Sequence, residues 1–489
     1  MRLQRYLAGL GLGVAFTVSV AAAAPFAEVG DQQLRNDVEL LARYGLISGP
    51  VGTWPLSWKH ITRDFHKADG QDLPPHVIMA LRRVERKVPG EWRVGLKVMA
   101  TTEPEIVRGF DETARNDLDT SATLQYNGTS TTAKLNVGYR NGNGTDDYNF
   151  DGSYLAQELG NWQVYAGAID RWWGPGREGT LLLSNNARPM PSVGIMRMEP
   201  EAFESKWLSW MGPWQLRAFV AQMEEDRHVP DALIAGLRLT FEPVKNFEVG
   251  LARTIQLCGE GRPCDLETWA RALIAGGDLD NTGTAREPGN QLASVDMAYS
   301  FGIGKETTLK IYGEATAEDE AGQLFLPKRF ARLLGASAYG PWGDGGAQWR
   351  LTAEYADTTS TEYWLFGDRR NNLIYEHHIY RSGYRFKGRS LGHSIDGDGR
   401  LISVIANFMA TKNWGVTIKY HNVLLNRTGD SRKVSSKSRE KINITEANFI
   451  TKTRLGEIRF DFRFHDDRPN TPFINKREFT ANLGWFLYF

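Results

Sequence analysis

Hydrophobic and polar residues alternate along most of the chain after residue 91, and the pattern is clearest at residues 477–489. Apolar side chains fall there on every second position: Phe479, Ala481, Leu483, Trp485, Leu487 and Phe489. Side chains alternate between the two faces of a strand, so the pattern predicts a strand with one apolar face. Such a strand would promote aggregation in a soluble protein unless it were covered, whereas it fits the last strand of a closed barrel in lipid.

About eighteen stretches alternate in this way, and each is roughly ten residues long. Clear examples lie at residues 94–98, 162–166, 214–220, 233–241, 309–315, 349–355, 414–420 and 458–464. Their second faces are polar, as in the run Gln348, Arg350, Thr352 and Glu354. The sequence therefore predicts an all-β, antiparallel transmembrane barrel with a polar interior.

The segments between these stretches alternate between short and long, which is typical of barrels with short periplasmic turns and long outer loops. If the chain before residue 92 lies in the periplasm, the first strand runs outward. The alternation then makes the last strand run inward and end in the periplasm at Phe489, which requires an even number of strands. The number of strands between residues 194 and 211 stays open, because Pro200 and Glu201 interrupt the pattern there. A barrel of this size leaves an aqueous lumen unless a helical segment or long loops fill it.

Residues 25–90 have a helical pattern instead. Leu34, Val38 and Leu41 form one apolar stripe, and Gly45 lies where that helix would end. Two further short helices are predicted, one beginning near Trp58 and one at the pair Pro74 and Pro75. We expect these helices to form a small bundle that packs against the barrel of residues 91–489 from the periplasmic side.

Composition narrows the class of protein. The 489 residues include 58 basic and 58 acidic side chains, so charge gives no argument for a nucleic-acid partner. A mean hydropathy of −0.41 is too polar for a bundle of membrane helices but suits a barrel, in which only alternate residues are apolar. Residues 1–24, with Arg2 and Arg5 before an apolar stretch, predict a secretory signal peptide, and a retained membrane anchor is the alternative.

The chain has two cysteines, Cys258 and Cys264, which lie close together in sequence among glycine and proline. An exported protein meets an oxidising compartment, so we expect them to form a small local disulfide. Two cysteines alone make a poor zinc site. We therefore predict no metal site and no cofactor.

The most distinctive loop covers residues 171–191. Its candidate carbohydrate-binding residues are Arg171, Trp172, Trp173, Arg177, Asn185, Asn186 and Arg188. Indole faces stack on sugar rings, and arginine and asparagine donate hydrogen bonds to hydroxyls and carboxylates. The competing interpretation is that the loop folds into the lumen and its arginines pair with inward-facing carboxylates, since a buried arginine needs a partner. Both interpretations stay open here.

Two other long loops carry candidate chemistry. The loop at 359–399 contributes the candidates Tyr363 and Trp364, and its Asp396-Gly-Asp398-Gly run resembles part of a calcium loop without the remaining ligands. The loop at 425–441 is basic, with Arg427, Arg432, Lys433, Lys437, Arg439 and Lys441 against Asp430 and Glu440. It would attract an anionic polymer, and contact with lipopolysaccharide phosphates or plain solvation is the alternative.

The chain resembles the Wzi-type outer-membrane capsule-assembly proteins. The resemblance rests on residues 34–41 and 50–56, on the Arg-Trp-Trp-Gly-Pro-Gly run that starts at Arg171, on the Asn-Asn-Ala-Arg-Pro-Met-Pro run that starts at Asn185, and on residues 392–399. It implies an eighteen-strand barrel closed on the periplasmic side by a small helical bundle. It also implies a lectin-like role, in which the protein holds exported polysaccharide at the cell surface rather than translocating it. It assigns no individual sugar-contacting residue.

These observations lead to one functional hypothesis with two rivals. We expect a monomeric, non-enzymatic outer-membrane lectin that organises capsular polysaccharide or exopolysaccharide and contacts outer-membrane lipid and lipopolysaccharide. The rivals are a diffusion porin and an outer-membrane hydrolase that acts on polysaccharide or lipid. The sequence has no H-E-x-x-H motif or phosphate-binding loop, and its G-x-S-x-G run at residues 388–392 leads into the glycine-rich residues 393–399 rather than into a helical pattern, so it is not a nucleophile elbow. The sequence therefore predicts no catalytic residues.

Overall fold

The structure is a computed structural model that describes residues 25–142, 145–274, 289–318, 329–362, 367–411, 413–467 and 478–489. The predicted signal peptide and the candidates Tyr363 and Trp364 lie outside these residues. The helices are α1 (Gln32–Arg43), α2 (Trp58–Thr62), α3 (Pro75–Glu85) and α4 (Leu266–Ile274), with short 3-10 turns at Phe65–Ala68 and Ser209–Met211. None of the described helices is long and apolar enough to cross a membrane.

Eighteen antiparallel strands of the described chain close into a barrel, as the alternation predicted. They are β1 (Trp92–Thr101), β2 (Leu118–Asn127), β3 (Thr131–Gly142), β4 (Tyr154–Leu159), β5 (Trp162–Ala168), β6 (Pro191–Arg197), β7 (Trp214–Gln222), β8 (Leu233–Val244), β9 (Phe247–Leu257), β10 (Gly289–Ile303), β11 (Thr307–Glu318), β12 (Arg329–Trp342), β13 (Ala347–Glu362), β14 (Arg400–Met409), β15 (Trp414–Leu425), β16 (Glu440–Thr453), β17 (Gly456–Asp467) and β18 (Phe479–Tyr488). Short strands at Thr145–Asn149 and Arg369–Arg370 extend the outer ends of β3 and β13.

The terminal strand β18 closes the barrel. It pairs with β17 on one side and with β1 on the other, where Trp485 lies opposite Val98 and Leu487 opposite Leu96. Closure leaves no free strand edge, so every strand of the barrel has backbone partners on both sides. The apolar strand at the end of the chain therefore has the place that the sequence predicted for it.

Alternation along each strand separates an apolar outside from a polar inside. On β13, Leu351 is exposed on the outer surface, whereas Arg350 and Glu354 are buried inside the barrel. The same division holds on β8, where Leu237 is outside and Arg238 inside. This is the division expected of a barrel whose outer surface meets lipid.

The connections at one end of the barrel are short turns, with one exception. Residues 198–213 join β6 to β7 at this end, so the region left open by the sequence holds one strand, Pro191–Arg197, followed by a long irregular connection. Pro200 lacks a backbone N–H and cannot continue the strand pairing. The Arg197 guanidinium instead donates hydrogen bonds to the carbonyl oxygens of Glu201 and Trp214.

The helical segment enters the barrel from the short-turn end. Helix α1 begins at the cap Asp31, whose carboxylate accepts a hydrogen bond from the Leu34 N–H at 2.8 Å, and it buries Leu34, Val38 and Leu41 as predicted. Its Asp37 forms a two-point ion pair with Arg83 of α3, at 2.9 and 2.7 Å, which holds the two helices together. We call the segment of residues 25–90 the helical plug.

The helical plug meets an incoming outer loop in the lumen. Thr53–Trp54 of the plug pairs with Trp172–Trp173 of the loop as a small antiparallel sheet. Trp54 and Trp172 both pack edge-on against Phe110, each with its ring centroid 5.3 Å from that of Phe110. The lumen of the barrel is thus largely filled by packed protein from both ends, with small polar cavities left between the helical plug, the loops and the barrel wall.

Candidate functional site

Several long loops fold over and into the barrel end opposite the short turns. We call the loops at residues 102–117, 169–190, 367–399 and 426–439 the outer cap; residues 363–366, which precede the third of these loops, are not described. The outer cap buries a hydrophobic cluster that includes Leu181, Leu182, Tyr375, Leu391 and Ile395. The predicted binding residues of the loop at 169–190 lie in this part of the molecule.

Arg177 fixes the loop at 169–190 to the helical plug. Its guanidinium donates to Asn36 at 2.7 Å and forms an ion pair with Glu39, both on α1. In return, Arg35 of α1 donates to the carbonyl oxygens of Gly176 and Pro175 at 2.8 and 2.9 Å. All these side chains are buried. The interaction is therefore an internal anchor between the plug and the loop.

Carboxylates on the barrel wall bind the backbone of the same loop. Glu354 accepts hydrogen bonds from the N–H groups of Arg177 and Glu178 at 2.7 and 2.9 Å. Glu314 accepts from the N–H group of Leu181 at 3.0 Å and from that of the next residue at 3.2 Å. Arginines of this loop do pair with carboxylates, as one of the two interpretations of the sequence has it: Arg177 with Glu39 and Arg188 with Asp147 and Asp151. Glu354 and Glu314 have a further role and satisfy loop backbone donors, since a buried loop has no strand partners for its N–H groups.

The two tryptophans of the loop are buried. Trp172 packs edge-on against Phe110 and donates its indole N–H to the Gly176 carbonyl at 3.2 Å, and Trp173 packs edge-on against Phe219 at 5.5 Å. Protein covers both indoles. Stacking on a sugar ring would require the loop to leave the lumen.

The remaining candidates of this loop are also engaged in the fold. Arg171 donates to Ser192 at 2.7 Å and lies 4.0 Å over the Phe219 ring. Asn185 donates to the Phe110 carbonyl at 3.2 Å and Asn186 to the Ser390 carbonyl at 2.9 Å. Arg188, which is half-buried, forms ion pairs with Asp147 and Asp151.

An ion-pair cluster joins two loops of the outer cap. Arg385 donates to Asp396 at 3.0 Å and pairs with Glu376, while Lys433 lies 2.8 Å from Glu376 and 3.4 Å from Asp398. Burial lowers the pKa of Arg385, but the two carboxylates outweigh burial and raise the net pKa above its ordinary value. The cations beside the Asp396-Gly-Asp398-Gly run are thus protein side chains. Among the described residues, no group of three His, Cys, Asp or Glu is arranged to hold a metal.

Exposed basic side chains cover part of the outer cap. We call Arg381, Lys387, Arg432, Lys437 and Arg439 the basic surface. Arg432 forms an ion pair with Asp430 at the surface. Lys433, which the sequence placed in the basic loop, is instead buried in the ion-pair cluster. Sequence reasoning did not single out Arg381 and Lys387, because nothing in a loop sequence shows which side chains the fold leaves outside.

Cys258 and Cys264 form a disulfide, with Cα atoms 4.8 Å apart. It closes a small loop beside the outer cap. Tyr380 of the 367–399 loop donates to the Cys258 carbonyl at 3.1 Å. The disulfide therefore shapes the place at which these two loops touch.

Comparison with known proteins agrees with this architecture. The family model described as capsule assembly protein Wzi matches residues 91–468. A 55.8 kDa protein from the cps region of Klebsiella pneumoniae is 32% identical over 423 residues, which cover 84% of this chain and 80% of that protein. The solved structure of Wzi from Escherichia coli, an outer-membrane protein involved in group 1 capsule assembly and a carbohydrate-binding β-barrel, superimposes with a TM-score of 0.81 at 26% identity, covering 95% of this chain and 99% of that one. The chain belongs to the family of capsule assembly protein Wzi.

Proposed function

We propose that this protein is a non-enzymatic lectin of the outer membrane that binds capsular polysaccharide or exopolysaccharide at the cell surface. The observation that carries the proposal is the combination of a lumen filled by buried ion pairs with an outer cap that exposes basic side chains. A filled lumen leaves the outer surface as the place for a polymer to bind. Arginine and lysine on that surface suit the carboxylate or phosphate groups of an anionic polymer.

The family supports the carbohydrate role. The Escherichia coli relative is a carbohydrate-binding β-barrel, and the present chain aligns with 99% of its length. In the proposed arrangement the barrel spans the outer membrane, the short turns and the helical plug face the periplasm, and the outer cap faces the medium. The protein acts as a monomer, and its outer loops contact lipopolysaccharide.

The candidates of the 169–190 loop take a supporting part in this proposal. Trp172, Trp173 and Arg177 hold the floor of the outer cap, and Arg188, which is half-buried, is the member of this group closest to the medium. Tyr363 and Trp364 remain proposed contacts, since they follow the outer end of β13. The polymer is thus expected to contact the rim and top of the cap rather than the lumen.

The two rival functions have less support. A diffusion porin needs a continuous aqueous path, whereas Glu39 of the plug binds Arg350 and Lys310 of the wall inside the lumen. A hydrolase needs an accessible nucleophile. Ser403 and His421 form a hydrogen bond of 2.8 Å, but both side chains are buried within the barrel wall. A polymer at the outer cap has no access to this pair.

A binding assay with matched charge variants tests the proposal. The triple variant R381Q/K387Q/R439Q removes three exposed charges from the outer cap, and K67Q/R82Q/R86Q removes three exposed charges from the plug at the opposite end. We expect purified protein to bind the polysaccharide of the host strain. The outer triple variant should weaken binding at least tenfold, and the plug variant should change it less than twofold. Failure of the unaltered protein to bind, with normal capsule retention in a deletion strain, would overturn the proposal.

A further inference from the structure

The connection at residues 198–213 is long and irregular, whereas the other described connections at the short-turn end are tight turns. Its first part touches the helical plug: Arg63 donates to the Pro200 carbonyl at 3.0 Å, and Gly49 lies directly against Pro200. The connection therefore begins at the inner side of the barrel rim. Its length is not needed to join two adjacent strands, which a turn of a few residues would do.

The later part of the connection crosses the rim and packs on the outer wall. Phe203 stacks on Trp214 with ring centroids 4.5 Å apart and an interplanar angle of 10°. Trp210 packs edge-on against Phe241 at 5.8 Å, and Met211 is buried in the same cluster.

This cluster lies on the surface that faces lipid. Trp214 and Phe241 alternate with Gln215 and Thr240, which are buried inside the barrel. The aromatic residues of the cluster are therefore on the outside. Trp162 begins strand β5, which is separated from β7 by β6. Its ring centroid lies 6.5 Å from that of Trp214, so it extends the group.

The connection also exposes apolar side chains of its own. Trp207 is 87% exposed, Trp210 is 61% exposed, and Leu208 lies between them. A helical turn holds them together, with hydrogen bonds from the Ser209 N–H to the Ser205 carbonyl at 2.8 Å and from the Met211 N–H to the Leu208 carbonyl at 3.0 Å. Exposed Glu204 precedes this turn, and exposed Lys206 lies within it. Tryptophan beside charged groups is typical of segments at a membrane–water interface.

We propose that residues 203–211 are a membrane-interfacial segment, inserted among the phospholipids of the membrane leaflet that surrounds the short-turn end of the barrel. The occupant of its apolar side is phospholipid, because the segment already packs on the lipid-facing wall and continues that surface without a break. Trp207 and Leu208 lie at the boundary of headgroups and acyl chains, and Glu204 and Lys206 remain in the headgroup region. The segment links the helical plug to the membrane through Pro200. This inference is independent of carbohydrate binding.

Fluorescence quenching of single-cysteine labels tests the proposal. The native cysteines form a disulfide, so the variants W207C and L208C of the full-length chain each supply one thiol for an environment-sensitive fluorophore. The labelled protein is reconstituted in vesicles of phosphatidylethanolamine and phosphatidylglycerol. The matched controls are L351C, on the lipid-facing wall, and D344C, in an ordinary turn at the same barrel end.

We expect nitroxide-labelled lipid to quench the labels at 207 and 208 to within twofold of the label at 351, and at least fivefold more than the label at 344. Quenching of 207 and 208 by aqueous iodide at the level of 344 would overturn the proposal, because the segment would then lie in water. Shielding from both quenchers would also overturn it, because a second copy or a partner protein would then cover the segment. The two label sites keep the test informative if one variant fails to fold.

Discussion

Oε2 of Glu39, on helix α1, lies 2.9 Å from Nη1 of Arg350, on barrel strand β13. Lys310 of β11 lies 3.0 Å from the other oxygen of the same carboxylate, and Arg177 of the outer loop pairs with it as well. One buried carboxylate therefore joins three parts of the molecule: the helical plug, the barrel wall and the loop at 169–190. Burial raises the pKa of Glu39, but the surrounding cations outweigh it and hold the pKa well below its ordinary value.

The substitution Glu39→Gln should destabilise the plug strongly. It removes the negative charge but leaves Arg177, Lys310 and Arg350 buried together, and breaking a buried ion pair costs about 3–5 kcal/mol. We expect the free energy of unfolding of the plug to fall by about this amount, measured by denaturant titration in detergent with protease cleavage of residues 25–90 as the readout. Glu85→Gln, at an exposed position of α3, is the matched control and should change it by less than about 0.5 kcal/mol.

The contribution of Glu39 should depend on pH in one direction. Because its pKa is lowered in the folded protein, the stabilisation is fully present above the ordinary pKa of 4.5 and is lost as the pH falls below that value. The difference in unfolding free energy between the unaltered protein and Glu39→Gln should therefore be constant from about pH 8 to about pH 5 and should shrink in more acidic buffer. A difference that grew on acidification would contradict the assignment.

The filled lumen predicts a closed barrel. In planar bilayers the full-length protein should show no steady conductance, because the plug and the outer cap pack against each other at Trp54 and Trp172. Deletion of residues 25–90 removes the plug and should produce measurable conductance if the barrel still assembles, which heat-dependent gel mobility checks. Steady conductance of the full-length protein, unchanged by the deletion, would instead support a diffusion porin.

Lys433 should hold the outer cap together. It is buried between Glu376 and Asp398, so Lys433→Met leaves two carboxylates without this cation. We expect the opening free energy of the 367–399 loop to fall by about 3 kcal/mol, which is about a hundredfold faster amide exchange. Lys437→Met, an exposed change in the same 426–439 loop as Lys433, should leave the exchange rate of the 367–399 loop within about threefold of the unaltered protein. Equal effects of the two variants would argue against a special role for the buried cluster.

The disulfide should act locally. The double variant C258S/C264S opens a small loop that lies outside the barrel wall, so we expect the barrel to unfold at the same temperature to within about 2 °C. Proteolysis within residues 258–270 should become faster, because the disulfide no longer holds the Cys258 carbonyl in place to accept the hydrogen bond from Tyr380. Collapse of the whole barrel on reduction would show that the disulfide holds more than this loop.

The sequence by itself determined the barrel. Period-two alternation is a local property of each strand. It is especially regular here because one face of each strand meets lipid and the other meets polar groups inside the barrel. The sequence alone therefore shows that Leu351 faces outward and Arg350 faces inward. The helix stripe of Leu34, Val38 and Leu41 and the stop at Gly45 are local signals of the same kind. The pairing of the terminal strand β18 with β1 followed from the need to close the sheet.

Only the tertiary structure decided which polar and aromatic side chains are available for binding. In sequence, Arg177, Trp172 and Trp173 fit a binding loop as well as a loop folded into the lumen. Contacts with the helical plug and the barrel wall, more than a hundred positions away, bury them in the lumen. Lys433 and Lys437 are four positions apart in one basic loop, yet one is buried beside Glu376 and the other is exposed. Loop burial depends on long-range partners rather than on a local period. For that reason the sequence predicted the wall of this protein far better than its interior or its outer surface.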